Sequence, residues 1–254
     1  MTPHEERLLE FDYDKVAHRY DRHRGGGGPY LDRLIELASA GGARRVLEIG
    51  AGTGNNTVAF AHAFPCSLIA LEPSAGMIAN AQAKDAPGHW LRGSALHIPL
   101  APASVDFVFA VYVLHYIHDL DRAFRECARV LRGGTAAFVT ASHEFIDRHP
   151  MNRYFTSFAG IDKTRFQTVP QVLHALADAG FTHTGEDRYN APPRPIDHYY
   201  AERVAHKFIS TYDLLPPGEF ETGLARLQAD LEGRDALDTP LQWEATVVWG
   251  YIEA

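Results

Sequence analysis
The chain is short of several things that would point elsewhere. Only two of its 254 residues are cysteine, Cys66 and Cys127, both within apolar or helical stretches and neither at a metal-ligand spacing. That pattern excludes a disulfide framework and a cysteine zinc site, and reads as two buried, reduced thiols. Positive charge is scarce: 24 Lys and Arg stand against 32 Asp and Glu, a formal charge of −8. Phosphate binding needs a basic face, so nucleic acid is not expected as a partner. No apolar run approaches the ~18 residues of a membrane span, and the start, Met1-Thr2-Pro3-His4-Glu5-Glu6, lacks the basic-then-apolar order of a secretory signal. The expected location is cytoplasmic, without a membrane partner. Fourteen histidines are present, yet none falls in a ligand motif, so no metal is expected.

What is present is an ordinary globular composition, 46% hydrophobic and 22% charged, enough for one sizeable core. Residues 45–57, Arg-Val-Leu-Glu-Ile-Gly-Ala-Gly-Thr-Gly-Asn-Asn-Thr, carry the most information. An apolar run with one acid, Glu48, precedes Gly50, Gly52 and Gly54, and a helical pattern begins at Asn55. Strand, glycine loop, helix is the arrangement that turns backbone N–H groups and a helix N-terminus toward a ligand. A second acid, Glu72, closes the apolar run 67–71, near the spacing at which a carboxylate reaches a ribose diol. A dinucleotide fingerprint places its glycines first, third and sixth; here they stand first, third and fifth. Glu48 beside the loop would repel a phosphate, but suits a ligand carrying an amino group and a sulfonium.

Helical and apolar runs alternate along the chain. The pattern predicts helix 30–40, strand 46–49, helix 55–63, strand 67–72, helix 74–84, strand 89–92, strand 105–111 and helix 119–131. Arg132-Gly133-Gly134 reads as the stop of that last helix, followed by strand 135–141. Residues 142–169 read as polar, aromatic and irregular. Helix 170–179, strand 181–189, a Pro-rich break at 191–195, helices 196–213 and 218–232, and a final alternating strand 241–251 complete the pass. Such alternation implies an α/β fold with a mostly parallel sheet between helical layers. The expected organisation is an arm over 1–29, a nucleoside-binding core over 30–141, and a lid insertion over 142–169. A core helix and strand at 170–190, a helical lid insertion at 191–240 and a last core strand at 241–254 follow.

These motifs resemble the class I S-adenosylmethionine-dependent methyltransferases, in particular their small-molecule branch, similar to the ubiquinone-biosynthesis and trans-aconitate enzymes. The resemblance spans roughly residues 11–190 and the last strand. Residues 45–57 are similar to the family's "E/D-x-G-x-G-x-G", and Leu71-Glu72-Pro73-Ser74-Ala75-Gly76-Met77-Ile78 to its second-strand acid and following "D/E-x-S-x-x-M-L". The resemblance implies a Rossmann-like seven-stranded sheet with the last strand antiparallel, three layers αβα, plus lid insertions. It implies S-adenosyl-L-methionine as cofactor and methylation of O, N or C of a small-molecule acceptor, leaving S-adenosyl-L-homocysteine.

By the same resemblance, Glu48 and the backbone of Gly50, Gly52, Gly54 and Asn55 would hold the methionine end. Glu72 would take the ribose, with Pro73 and Met77 near the adenine. Ser94 and Ala95, in Gly93-Ser94-Ala95-Leu96-His97-Ile98-Pro99-Leu100, stand where the family has "G-D-A-x-x-L-P-F"; Ser94 replaces the usual Asp. Residues 106–119 resemble the fourth-strand segment ending "L-H-x-x-x-D", which places Val111 and Tyr112 beside the transferred methyl group. Tyr13, Tyr20 and Arg24 resemble the "Y-x-x-x-R" lead, Tyr20 and Arg24 toward the cofactor and Tyr13 toward the acceptor. His115 is the first candidate for a base, or else an orienting ring, and His143 the second. Arg153 and Tyr200 are the candidates for acceptor contact, among lid aromatics that mostly serve packing. A homodimer through the lid helices is compatible with the pattern. Two other readings are a non-catalytic module binding S-adenosylmethionine or its demethylated product, and an NAD-dependent dehydrogenase, the latter opposed by the glycine spacing and Glu48.

Overall fold
The computed structural model describes residues 26–253. Tyr13, Tyr20, Arg24 and most of the expected N-terminal arm lie outside the described residues. The elements are α1 Leu31–Ala40, β1 Arg45–Ile49, α2 Asn55–Ala63, β2 Ser67–Glu72, α3 Ala75–Ala83, β3 His89–Arg92 and β4 Val105–Val111. Then come α4 Leu120–Val130, β5 Leu131–Thr140, α5 His143–Arg148, α6 Phe158–Arg165, α7 Val169–Asp178 and β6 His183–Asn190. The last are α8 His198–Ala205, α9 Glu219–Leu231 and β7 Glu244–Ile252. The strands form one sheet in the order β3-β2-β1-β4-β5-β7-β6. β1 to β5 pair in parallel, whereas β7 inserts antiparallel between β5 and β6. This is the Rossmann-like sheet that the sequence implies.

Side-chain alternation divides the strands between two apolar layers. Leu47, Ile49, Val108, Ala110 and Phe138 face one side and pack on Phe124 and Cys127 of α4 and Val172 and Leu176 of α7. Val46, Phe107, Phe109, Val111 and Val247 face the other, against Leu34 and Ala38 of α1 and Phe60 of α2. Phe60 stacks on Phe109 at 4.7 Å and on Phe107 at 6.3 Å between ring centroids.

Several boundaries differ from the sequence reading for identifiable reasons. Arg132-Gly133-Gly134 does not follow a stopped helix; α4 ends at Val130 and β5 already runs through these residues. Gly134 has φ +128°, and a Cβ there would lie 2.3 Å from the Asp106 carbonyl oxygen. The glycine therefore serves a bulge where β5 passes close to β4, whose register shifts between Val105 and Phe107. Residues 142–169 are not irregular but largely helical, with side-chain caps at Ser142 and His149 starting α5 and the short 3-10 helix Pro150–Arg153. The expected helix 196–213 is broken: Asp197 caps α8, Lys207 takes φ +49°, and a 3-10 turn Ser210–Asp213 follows. β7 starts three residues later than expected, because Leu241 instead bridges to Arg194.

The segments expected to be lid insertions build a core of their own from Met151, Phe155, Phe158, Tyr200, Tyr212 and Leu227, among others. No helix among the described residues is long and apolar enough to cross a membrane. Replacing fully buried Phe60 by Ala removes a ring from two stacked partners. It should lower unfolding free energy by about 3–5 kcal/mol, measured as a fall in the urea midpoint at unchanged slope.

Candidate active site
The glycine loop is folded back across the end of β2. Gly50 and Ala51 both donate their N–H to the Leu71 carbonyl, at 2.8 and 3.1 Å. Gly52 N–H donates to Glu72 Oε2 at 2.9 Å, and Ser74 N–H to Glu72 Oε1 at 2.9 Å. Gly50 takes φ +66°, and a Cβ there would meet Val113 at 2.5 Å. Only glycine fits between the loop and the segment after β4. Asn55 then begins α2, so the helix N-terminus follows the loop directly.

Two carboxyls sit beneath this loop. Glu48 is buried and accepts a 2.6 Å hydrogen bond from Thr57 Oγ1. Burial pushes its carboxyl up to about 8, against the Thr57 bond and with the nearby Glu72 charge adding to the rise. Glu72 is also buried, its oxygens occupied by backbone N–H groups.

A cavity of about 410 Å³ opens in front of the loop. Gly50, Gly52, Asn55, Val111, Tyr112, His115 and Tyr200, all anticipated from sequence, line it. Glu48, Gly54, Glu72, Pro73, Met77, Ser94 and Ala95 are not in its lining. Met77 is fully buried in the packing beneath α3, and Ser94 is exposed, its hydroxyl accepting from Leu96 N–H at 3.2 Å. Tyr112, at the end of β4, is held at φ +53°, a conformation rare outside glycine. Its hydroxyl accepts from Trp243 Nε1 at 2.8 Å, and burial pushes its pKa well above the usual phenol range. His115 is buried between two rings, 4.0 Å from Phe166 in a stack and 3.9 Å from Tyr116.

Two candidates lie away from this cavity. His143 lies outside the cavity lining, and its Nε2 is 2.8 Å from the Phe166 carbonyl, which ties α5 to the end of α6. Arg153 projects from the lid, 70% exposed, and pairs with Asp230 at 3.0 Å. Neither reaches the cavity. The opposite wall instead holds residues that the sequence did not single out. Arg194 and Arg203 bring positive charge, Arg203 over the Phe208 ring at 4.2 Å. Trp243 bridges Tyr112 to the lid, and Tyr30 and Asn56 close the loop side with a 3.0 Å hydrogen bond. No local motif marks these positions. Among the described residues no group of three His, Cys, Asp or Glu could hold a metal ion.

A strand-end loop of small residues above two buried acids fits a nucleoside ligand that carries positive charge at its other end, as S-adenosylmethionine does. Comparison with known proteins agrees. A family profile described as "Methyltransferase domain" matches residues 47–139. The malonyl-[acyl-carrier protein] O-methyltransferase of Enterobacter lignolyticus is 30% identical over 214 residues, 74% of this chain and 85% of that protein. The enzyme of the same name from Methylococcus capsulatus is 41% identical over 151 residues, 55% of this chain and 53% of its own. In fold, a crystal structure of a putative methyltransferase from an antibiotic biosynthesis pathway of Anabaena variabilis superposes with a TM-score of 0.69. That pair is 22% identical, covering 87% of this chain and 95% of the other. With β7 antiparallel in a seven-stranded sheet and a relative matched over most of both chains, the chain belongs to the class I methyltransferases, which take S-adenosylmethionine as cofactor.

Proposed function
We propose that the chain transfers the methyl group of S-adenosylmethionine to a carboxylate oxygen of a small acidic acceptor seated in the cavity. The observation that carries this reading is that one cavity has both walls: the glycine loop with Tyr112 and His115 on one side, and the lid with Arg194 and Arg203 on the other. The names of the relatives, O-methyltransferases acting on a malonyl group, support oxygen as the nucleophile. Bound S-adenosylmethionine supplies a methyl group already activated by its sulfonium. The protein then has to bind, orient and exclude water, and an ionised carboxylate brings no proton that a base must remove. His115, stacked between Tyr116 and Phe166, is accordingly an orienting wall of the cavity. Glu48 would face the positively charged methionine end, Glu72 the ribose hydroxyls, Pro73 and Met77 the adenine side, and Ser94 and Ala95 its edge. Gly50, Gly52, Gly54 and Asn55 would shape the cradle, and Tyr112, Val111 and Tyr200 the space beside the methyl group.

Three outcomes test this. Glu72→Ala removes the carboxylate that fixes the loop; calorimetry should show S-adenosylmethionine binding weakened by about tenfold or more, the worth of one charge-assisted hydrogen bond. NAD should bind neither form.

Glu48 gives a pH signature. Its folded-state value, about 8, lies above the ordinary 4.5. In the cofactor-free protein it thus contributes stability that is complete below 4.5 and lost as pH rises through about 8. A cationic ligand favours the ionised form, so the rise in melting temperature on adding S-adenosylmethionine should grow between about pH 6 and about pH 9. Glu48→Gln should flatten that growth; an equal slope in both proteins would remove Glu48 from the cofactor site.

Arg203→Ala should raise KM for an acidic acceptor about tenfold at unchanged cofactor affinity. The wild-type kcat should show no limb in the imidazole range. A limb near pH 6.5 that disappears in His115→Gln would instead make His115 a base and the acceptor a protonated one.

A further inference from the structure
The cavity is aromatic over much of its surface, yet at the lid it contains a polar cluster for which methyl transfer to a carboxylate has no use. Asp162, on α6, lines the cavity and is 7% exposed. Its Oδ1 accepts from Thr211 Oγ1 at 2.8 Å and lies 3.5 Å from the guanidinium of Arg165, a residue 1% exposed. Arg165 also donates to Ser210 Oγ at 3.1 Å, and Ser210 lies 2.6 Å from the Tyr116 hydroxyl. The Arg165 guanidinium stands over the Tyr116 ring at 5.1 Å. The 3-10 turn, α6 and the segment after β4 are thus joined around one buried carboxylate. Both contacts are made by Oδ1; Oδ2 takes no hydrogen bond among the described residues and is not a buried, unsatisfied atom.

Burying an acid and a guanidinium costs more than an apolar pair of the same volume would. The arrangement leaves one carboxylate oxygen of Asp162 without a protein donor in a cavity wall. Burial pushes the Asp162 carboxyl up to about 6, with Arg165 and Thr211 holding it down, so it is mostly ionised at neutral pH. An anionic group of the acceptor would be repelled there and belongs with Arg194 and Arg203.

Resting on the reading of this cavity as the acceptor site, we propose that Asp162 Oδ2 is a second acceptor subsite that takes a hydrogen-bond donor, a hydroxyl or N–H. The acceptor class is then an acid that carries such a donor as well as the carboxylate that is methylated. Arg165 and Thr211 are positioning residues, which fix Oδ1, with Ser210 holding Arg165, and so turn the other oxygen to the ligand. Their separation in the chain, from 162 to 211, makes the subsite a property of the assembled lid rather than of any one segment.

The test uses the full chain saturated with S-adenosylhomocysteine and titrates phenylacetate against its 2-, 3- and 4-hydroxy forms by calorimetry. At least one hydroxylated acid should bind about tenfold more tightly than phenylacetate, the factor of one hydrogen bond to a charged group. The advantage should vanish in Asp162→Ala. It should also vanish in Asp162→Asn, which keeps the shape and the Thr211 bond should the alanine variant fail to fold. Equal affinities across the series, an advantage that survives in both variants, or no binding of any of the four acids overturns the subsite. A parallel assay for methyl ester formation from S-adenosylmethionine separates the two readings. A hydroxyl advantage without ester leaves the subsite standing and removes the carboxylate reading; ester without a hydroxyl advantage does the reverse.

Discussion

One carbonyl holds the glycine loop of this molecule in place. The oxygen of Leu71 receives the N–H groups of both Gly50 and Ala51, and the next residue along the loop, Gly52, bonds the carboxylate of Glu72. The loop is thereby drawn across the tip of β2, where it would otherwise run straight from β1 into α2. Everything in front of it follows from that bend. Val113 packs where a side chain on Gly50 would stand, so the segment after β4 is set against the loop. Tyr112, one residue earlier, is held at positive φ, and its hydroxyl accepts from Trp243, which stands just before β7.

The two ends of the cavity are built from different materials. The glycine-loop end is mostly backbone and small residues, above two buried acids that do not reach the lining. The opposite end is side chain: rings from Phe158, Phe166, Tyr200 and Phe208 with a few charges set among them. Backbone geometry is dictated by glycine and sheet register, so many sequences can reproduce it. Side-chain walls depend on each residue in place.

The same division governed what could be read from the sequence. Strands 67–72, 89–92 and 105–111 and helix 55–63 lie as the periodicity indicates, because each is a single run whose burial is set by its own alternation. Gly133-Gly134 misled because glycine after a helix is an ordinary stop signal, and only the approach of Asp106 from β4 reveals a bulge. Arg153 stands among aromatics in the sequence, but its neighbours Tyr154 and Phe155 turn inward, which leaves the arginine outside. Asp162, Arg203 and Trp243 could not be anticipated. Their chemistry arises only when stretches far apart in the chain pack together, and no local pattern encodes that meeting.

The lid core has a consequence for the history of such a protein. Its buried residues come from the chain between 151 and 158 and again from 196 to 241, outside the strands that make the sheet. The sheet anchors it at β5, β6 and β7, and the segment after β4 meets it through Tyr112–Trp243 and Tyr116–Ser210. A change of ring or charge in the lid therefore leaves the register of the strands and the bend of the glycine loop as they are. Selection can rewrite what is methylated while the machinery that delivers the methyl group is inherited unaltered.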